Sequence, residues 1–499
     1  MTDIAFVDKQ TSAPSQLVRL FTAERLLLLF FILSLPLMNP WVRGDGVGYY
    51  AFARAPLIQH NLDFTRDYQS ANASFRELRL DENGEPKSFF RTSTGHLDNH
   101  FTVGPALLWS PFLLLAHGGV LLARAFGSQV LADGFSAPYR FAMAFATAFY
   151  AFLGIFLSFR LARQYVQERW ALLATVAIWW GSSLPIYMYF NPSWSHAHSA
   201  FVVALFLSYW HQTRPSRTLK QWLLLGLCAG LMLNVYYANA MVLIVLLVEA
   251  VPQYLRSFRR KASLEIPDAP STSTLLLNHA LFFAVLLFCM LPTFLTRIAV
   301  YGGPFESGYI PLKDWLWRSP VLLSVLFSAN HGLLSWTPVL IPAIVGIFLF
   351  WRRVPAVGFA FLAAFLVFYL FISCYPDWAG ISSYGNRFFV SLTVLFVLGL
   401  GVFLEQIAKF FRSPRLALAV VSAVLALFLL WNGGLMFQWG EHLIPPRGPI
   451  SFPEMIHNQF FVVPRQITSR LQSYLFRRHA MMQQIENRDI QQLHKADPD

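Results

Sequence analysis

The sequence predicts an all-α polytopic membrane protein, and three observations carry that reading. Apolar runs of roughly 20 residues, each enough to cross a hydrocarbon layer of about 30 Å, recur from the N-terminus to about residue 436. Of the 499 residues, 56% are hydrophobic and only 13% charged, against the roughly 25% charged of an ordinary soluble domain. The formal net charge of +12 sits in short basic clusters between the apolar runs, as the positive-inside rule produces, rather than in one stripe suited to a polyanion. A nucleic-acid partner is therefore not expected.

The apolar segments fall at residues 20–40, 101–125, 138–160, 170–190, 196–213, 221–255, 277–300, 333–351, 355–373, 389–408 and 416–436. The first, from about Leu20 to Met38, is too long for a signal-peptide core and lacks a small-residue cleavage site, so it reads as the first transmembrane helix. The clusters Arg160–Arg169, Arg214–Lys220, Arg256–Lys261, Arg352–Arg353 and Lys409–Arg415 belong in the cytoplasm, together with Arg19 and Arg25. All of them can share one side only under two conditions. Segment 101–125 must be re-entrant or surface-lying, broken by Pro105 and Pro111, and segment 221–255 must split into two short helices around Asn234 to Asn239.

About 11 crossings result, with interfacial helices in a long first loop. The loops facing outward are then 41–100, 191–198, 232–239, 301–332, 374–388 and the tail after residue 437. Residues 1–436 form one transmembrane catalytic domain; residues 437–499 read as a small amphipathic tail without a recognisable module, and 262–275 as a cytoplasmic linker. Cys228, Cys289 and Cys374 all lie in or beside apolar runs, which offers neither a disulfide framework nor a CxxC metal site.

Chemistry-bearing residues concentrate in the outward loops. The first opens on Gly44, Asp45, Gly46 and Gly48, and glycines around a carboxylate let backbone and ligand approach closely. Asp before a helix is also a common N-cap. From Tyr49 to Gln59 aromatic and aliphatic residues recur at helical spacing, which suits a helix lying along the interface. His196 and His198 are two apart and so do not share a helix face. Glu306 sits in a Gly-rich stretch that suits either a lid over substrate or a plain turn. Arg140 and Arg387 stand near helix starts, where an arginine either snorkels to lipid headgroups or grips substrate. His96, Asp98 and His100 alternate like metal ligands, but without a fourth ligand at defined spacing loop hydrogen bonding is the better reading.

An acid directly after the first transmembrane helix, a helix with the paired Tyr49 and Tyr50, and a polar loop closing on His100 and Pro105 together resemble the GT-C superfamily of polyprenyl-phosphate-sugar glycosyltransferases. Its relatives include the protein O-mannosyltransferases and the bacterial lipid A aminoarabinose transferase. The resemblance follows the order of elements down to about residue 436 through short, degenerate motifs. It implies that Asp45 is the general base, that the Ala137-to-Arg140 and Tyr384-to-Phe388 stretches supply arginines, Arg140 and Arg387, for a lipid phosphate, and that Tyr49, His100, His196 and Glu306 border the substrate. Many relatives carry a second acid where this chain has Asn191 to His198 with two histidines and no carboxylate. That departure puts a carboxylate-bridged metal in doubt.

The implied reaction is a single inverting displacement. The leaving group is already a phosphate, which needs positive charge rather than a proton, and guanidinium forks match its oxygens. The attacking hydroxyl must lose a proton, which Asp45 would accept. The expected partners are a polyprenyl-phosphate-linked sugar donor, membrane lipids, and a glycan, lipid or protein acceptor, at the periplasmic or exterior face of a bacterial cytoplasmic membrane. No cofactor is predicted, and a divalent metal stays open. Two other classes compete: a transporter or flippase for a lipid-linked or small polar substrate, which would place ionisable residues near mid-membrane, and a lipid-linked oligosaccharide ligase.

Overall fold

The computed structural model describes residues 22–214, 216–262, 271–445 and 450–496; Arg19 and positions 263–270 of the expected linker lie outside them. After α1 (Ala23–Ser34) the chain enters the first loop through α2 (Asp45–Arg54) and leaves it by α3 (Gly104–Ala125). Then come α4 (Ala137–Ala162), α5 (Glu168–Gly181), α6 (His196–Thr213), α7 (Leu219–Val235), α8 (Ile244–Ala262), α9 (Thr272–Cys289) and α10 (Leu291–Tyr301). A second long loop precedes α11 (Leu340–Arg353), α12 (Pro355–Cys374), α13 (Thr393–Ala408) and α14 (Pro414–Gly440); α15 (Val463–Phe476) and α16 (Arg478–Ala496) form the tail. Among the described residues the only β pairing is two isolated bridges inside the first loop. Seven helical segments there are long and apolar enough to cross a membrane, so the chain is a multi-pass membrane protein.

Local signals fix the helix starts. Thr22 accepts from the Arg25 N–H at 3.3 Å, Thr218 and Gln221 cap each other reciprocally, and Ser271 accepts from Thr274 N–H at 3.1 Å. Pro138, Pro355 and Pro414 occupy first turns, where the missing N–H has no partner to lose. At the centre α13 is buried almost throughout. It meets α11 backbone to backbone: a Cβ on Gly346 would lie 1.7 Å from the Gly399 carbonyl oxygen. Small residues at a helix crossing allow this approach, which matters inside lipid because apolar burial gives no advantage there.

The basic clusters converge on one end of the bundle. Arg163 pairs with Glu24 at 3.0 Å, Arg217 with the buried Glu249 at 2.9 Å, and Arg353 with Glu405 at 2.7 Å, while Glu405 also accepts from Gln167 N–H. Asp45 and the first loop occupy the opposite end. Segment 221–255 does split, into α7 and α8 around a 3-10 turn at Tyr237–Leu243. The polar groups of the break are satisfied inside the fold: Asn234 donates to Cys289 O at 2.7 Å and Asn239 to Ser199 Oγ at 2.9 Å.

Segment 101–125 differs in shape from the broken segment that the sequence predicts. Both ends of α3 are tied to the loop side, at one end by Thr102 Oγ1 donating to Val235 O at 2.7 Å, and beyond the other by the Tyr50 hydroxyl donating to Gly134 O at 2.6 Å. The helix is continuous rather than broken: Pro105 falls in its first turn and Pro111 inside it. The first loop folds on its own small core against α3 and the start of α4, pinned by a doubly hydrogen-bonded Arg54–Asp67 pair of which each side chain is 2% exposed.

The tail is not a detached appendage. Tyr474 donates to Leu37 O at 2.8 Å, Arg478 to Pro36 O at 2.6 Å, and Glu486 accepts from Ser74 N–H at 2.6 Å, so α15 and α16 lie across the outer end of α1 and the first loop.

Candidate active site

The end of the bundle that carries the first loop encloses a cavity of about 1120 Å³, and Asp45 stands in its wall at the N-terminus of α2. Gly44 makes the turn into that helix with φ of +54°, a left-handed conformation that glycine adopts without steric cost. A Cβ there would meet the Trp194 ring at 3.4 Å, and the Trp194 indole N–H donates to Arg43 O at 3.1 Å. The approach to Asp45 is thus packed on one specific aromatic side chain.

Arg387 arrives from the far end of the sequence. Tyr187 and Tyr384 clamp the turn before it, Tyr187 hydroxyl accepting from Tyr384 N–H at 3.0 Å while the Tyr384 hydroxyl donates to Asn432 Oδ1 at 2.7 Å. The Arg387 Nη1 donates to Asp45 Oδ2 at 2.8 Å, with side chains 15% and 33% exposed. Its guanidinium lies 4.6 Å from the Trp194 ring and 5.5 Å from Phe388, a cation stacked on aromatic faces. The buried Arg387 Nε has no partner. One N–H of this fork is therefore free to meet a further acceptor.

Three of the other residues singled out in the sequence share the cavity with this pair. The Tyr49 hydroxyl accepts from Ser195 Oγ at 2.9 Å; burial first, and the Asp45 charge second, raise its pKa and hold it protonated. His196 is buried in an aromatic box with Tyr187, Tyr236 and Phe388 at centroid distances of 4.9, 5.6 and 6.3 Å, its Nδ1 unpartnered. His100 hydrogen-bonds Asp98 at 3.3 Å, and its carbonyl accepts from Arg297 at 2.7 Å. Burial pushes the Asp98 carboxyl up, but His100 and the Tyr301 hydroxyl outweigh it and leave the group below the usual range. His100 is thereby tethered by a charged loop, as the loop hydrogen-bonding reading of these residues expects.

Two others stand apart. Arg140 is exposed in the first turn of α4 and does not line the cavity. Glu306 is exposed on the second long loop; its neighbours Gly308, Tyr309 and Ile310 reach the cavity and it does not.

The cavity also holds residues that no sequence motif marked. Asp377, in the 374–388 loop, is a second carboxylate there, raised by burial and partly restored by the Arg387 charge. It was the one acid in that outward loop, so its position beside Arg387 was a usable signal. Trp194 and Tyr236 supply ring faces, and the tail adds Asp489 and His442, paired at 3.1 Å, with Arg43 also on Asp489. Among the described residues no group of three or more His, Cys, Asp or Glu stands together as a metal site.

The site thus pairs an acid after the first helix with a late arginine over a cavity at one end of an all-α bundle. No family model matches the chain, and no curated protein matches it by sequence. Among solved structures it is similar to the Archaeoglobus fulgidus oligosaccharyltransferase, in a crystal structure with Zn and sulfate, at 14% identity and a TM-score of 0.51 over 84% of this chain. The match spans 54% of that chain, about half its length. ArnT from Cupriavidus metallidurans in the apo state matches at 11% identity and a TM-score of 0.45, over 84% of this chain and 70% of that one. The chain has the GT-C fold.

Proposed function

We propose that the protein is an inverting glycosyltransferase that moves a sugar from a polyprenyl-phosphate carrier to an acceptor hydroxyl. The observation that carries this reading is the Asp45–Arg387 pair in the cavity wall, a proton acceptor and a phosphate-binding fork held 2.8 Å apart. In the reaction the acceptor oxygen attacks the anomeric carbon from the face opposite the phosphate, and the bond from that carbon to the phosphate oxygen breaks. The electron pair leaves with the lipid phosphate, and the hydroxyl proton passes to Asp45.

The two residues act in sequence because they compete. Before donor arrives Arg387 serves Asp45; a donor phosphate competing for the guanidinium draws it away and frees the carboxylate for the acceptor. His196, Tyr49 and Tyr236 give the sugar ring apolar faces and protonated hydroxyls to lie against.

The active face is the periplasmic or exterior side of a bacterial cytoplasmic membrane, a reading supported by the basic clusters at the other end. The test is transfer by purified protein from a synthetic polyprenyl-phosphate sugar, with Asp45→Asn as control and the anomeric configuration of the product read by NMR. Full activity of that variant, or retained configuration, would sink the assignment. The face is tested separately, by labelling a single cysteine in the tail with an impermeant thiol reagent on intact cells.

A further inference from the structure

We infer that the tail is half of a binding site for the isoprenoid chain of the lipid donor, a groove between α14 and α15–α16. This rests on the glycosyltransferase reading and adds to it where the lipid lies. On α14 the residues lining the cavity are Gly433, Met436, Phe437, Trp439 and Gly440, all but Trp439 in one stripe at helical spacing. A Cβ added at Gly433 or Gly440 would meet nothing within 4 Å, so this stripe faces unfilled space. Opposite it α15 presents Ile467, Leu471 and Tyr474, and α16 presents Met481, Met482 and Ile485. Two apolar helix faces that look at each other across a gap form a slot for a chain, and two adjacent methionines let its wall adapt.

The slot is continuous with lipid at one end and with charge at the other. Its outer end meets Leu37 at the close of α1, whose Ile32 and Leu33 are 51% and 67% exposed, and α14, whose Leu427 and Leu430 are 65% and 70% exposed. These are the faces a bilayer would cover. The tail itself carries Phe460, Phe461 and Phe476 outward, so it rests at the same level as the membrane surface. Arg43, Arg387 and Arg470 border the same cavity, paired there with Asp489, Asp45 and Glu441, and Arg387 keeps an unpartnered Nε. An occupant that fits is apolar along its length and anionic at its head, as an isoprenoid phosphate is. Tyr474 and Arg478 donate to Leu37 O and Pro36 O at the end of α1, and Glu486 accepts from Ser74 N–H in the first loop; these bonds hold the slot closed from above.

The experiment uses the full chain in nanodiscs with a polyprenyl phosphate bearing a photoreactive group near the middle of its chain. The expected result is labelled peptides from residues 463–496, lost on competition with unlabelled polyprenyl phosphate and kept with phosphatidylglycerol. Leu471→Arg and Met482→Arg should each cut that labelling at least about fivefold, since a charge in an apolar slot repels a hydrocarbon chain. Unchanged melting temperatures would show that both variants stay folded. Shortening the donor to two isoprene units should raise KM roughly tenfold while kcat holds. Labelling confined to the outer faces of α1 and α14, labelling competed away by ordinary phospholipid or by a lipid acceptor, or an unchanged KM for the short donor would each overturn the inference. Labelling of the tail in a protein that transfers no sugar would refute the glycosyltransferase reading instead and leave the lipid slot standing.

Discussion

Gly46 presses against Ser193 so closely that a Cβ at position 46 would lie 1.9 Å from the serine hydroxyl oxygen and 3.2 Å from its carbonyl oxygen. One turn of α2 and the loop before α6 therefore touch through a missing side chain, directly beside Asp45. Gly46→Ala should push the two apart, costing about 1–3 kcal/mol of stability as overpacking does, and lowering transfer as well. Ser193→Gly removes the two nearest contacts, so the double variant should recover most of the melting temperature. A double variant no more stable than Gly46→Ala alone would show that the crowding lies elsewhere.

Substitutions at the ion pair should separate chemistry from donor binding. The amide left by Asp45→Asn still offers Arg387 an oxygen at the same place, so the fold should survive while kcat falls about 10²–10⁴-fold, the usual worth of a general base. Arg387→Lys keeps the charge and loses the fork, and should raise KM for the donor more than it lowers kcat. Steady-state kinetics against donor concentration distinguishes the two patterns.

Docking of the tail should depend on pH through Asp489. Burial raises this carboxyl, but hydrogen bonds and charge from His442 and Arg43 outweigh it and hold the group below its ordinary value. A depressed folded-state pKa contributes stability above the unfolded value of about 4, and that contribution is lost as pH falls through the folded value. Hydrogen exchange in α16 should accordingly speed up below about pH 4 relative to α13, and Asp489→Asn should show fast exchange already at neutral pH. A pH-independent tail in the wild type would remove Asp489 from this role.

Arg140→Ala and Glu306→Ala should each change transfer by less than about twofold, because exposed side chains outside a cavity contribute little to it. A large loss from either would mean that the bound state recruits a loop that the free protein keeps open.

The contrast between Arg140 and Arg387 shows what a sequence makes legible. Both stand near helix starts, but only the second belongs to a turn whose tyrosines bond back into the bundle, and those bonds join residues 197 apart. Helix placement and the split around Asn234 were readable because apolar period and charge parity are local or additive along the chain. The aromatic box around His196 and the partner of Asp45 come from segments far apart in sequence, and a single sequence carries no signal for such pairings. The tail was hardest: its alternating polar and apolar residues fit a surface helix, and nothing local says that one face roofs a cavity.

Arg43 and Asp489, whose side chains bridge at the cavity, are 446 residues apart. A ribosome therefore completes α1 to α14 before it makes the segment that seals the chamber. Closing so long a loop is entropically unfavourable until the rest of the bundle has set the two ends near each other. Until then the carboxylate at position 45 stands beside an unroofed pocket, and a nascent chain stalled or clipped near Gly440 would be a membrane-inserted protein with no closed site. Biogenesis itself thus works as a timer on the chemistry.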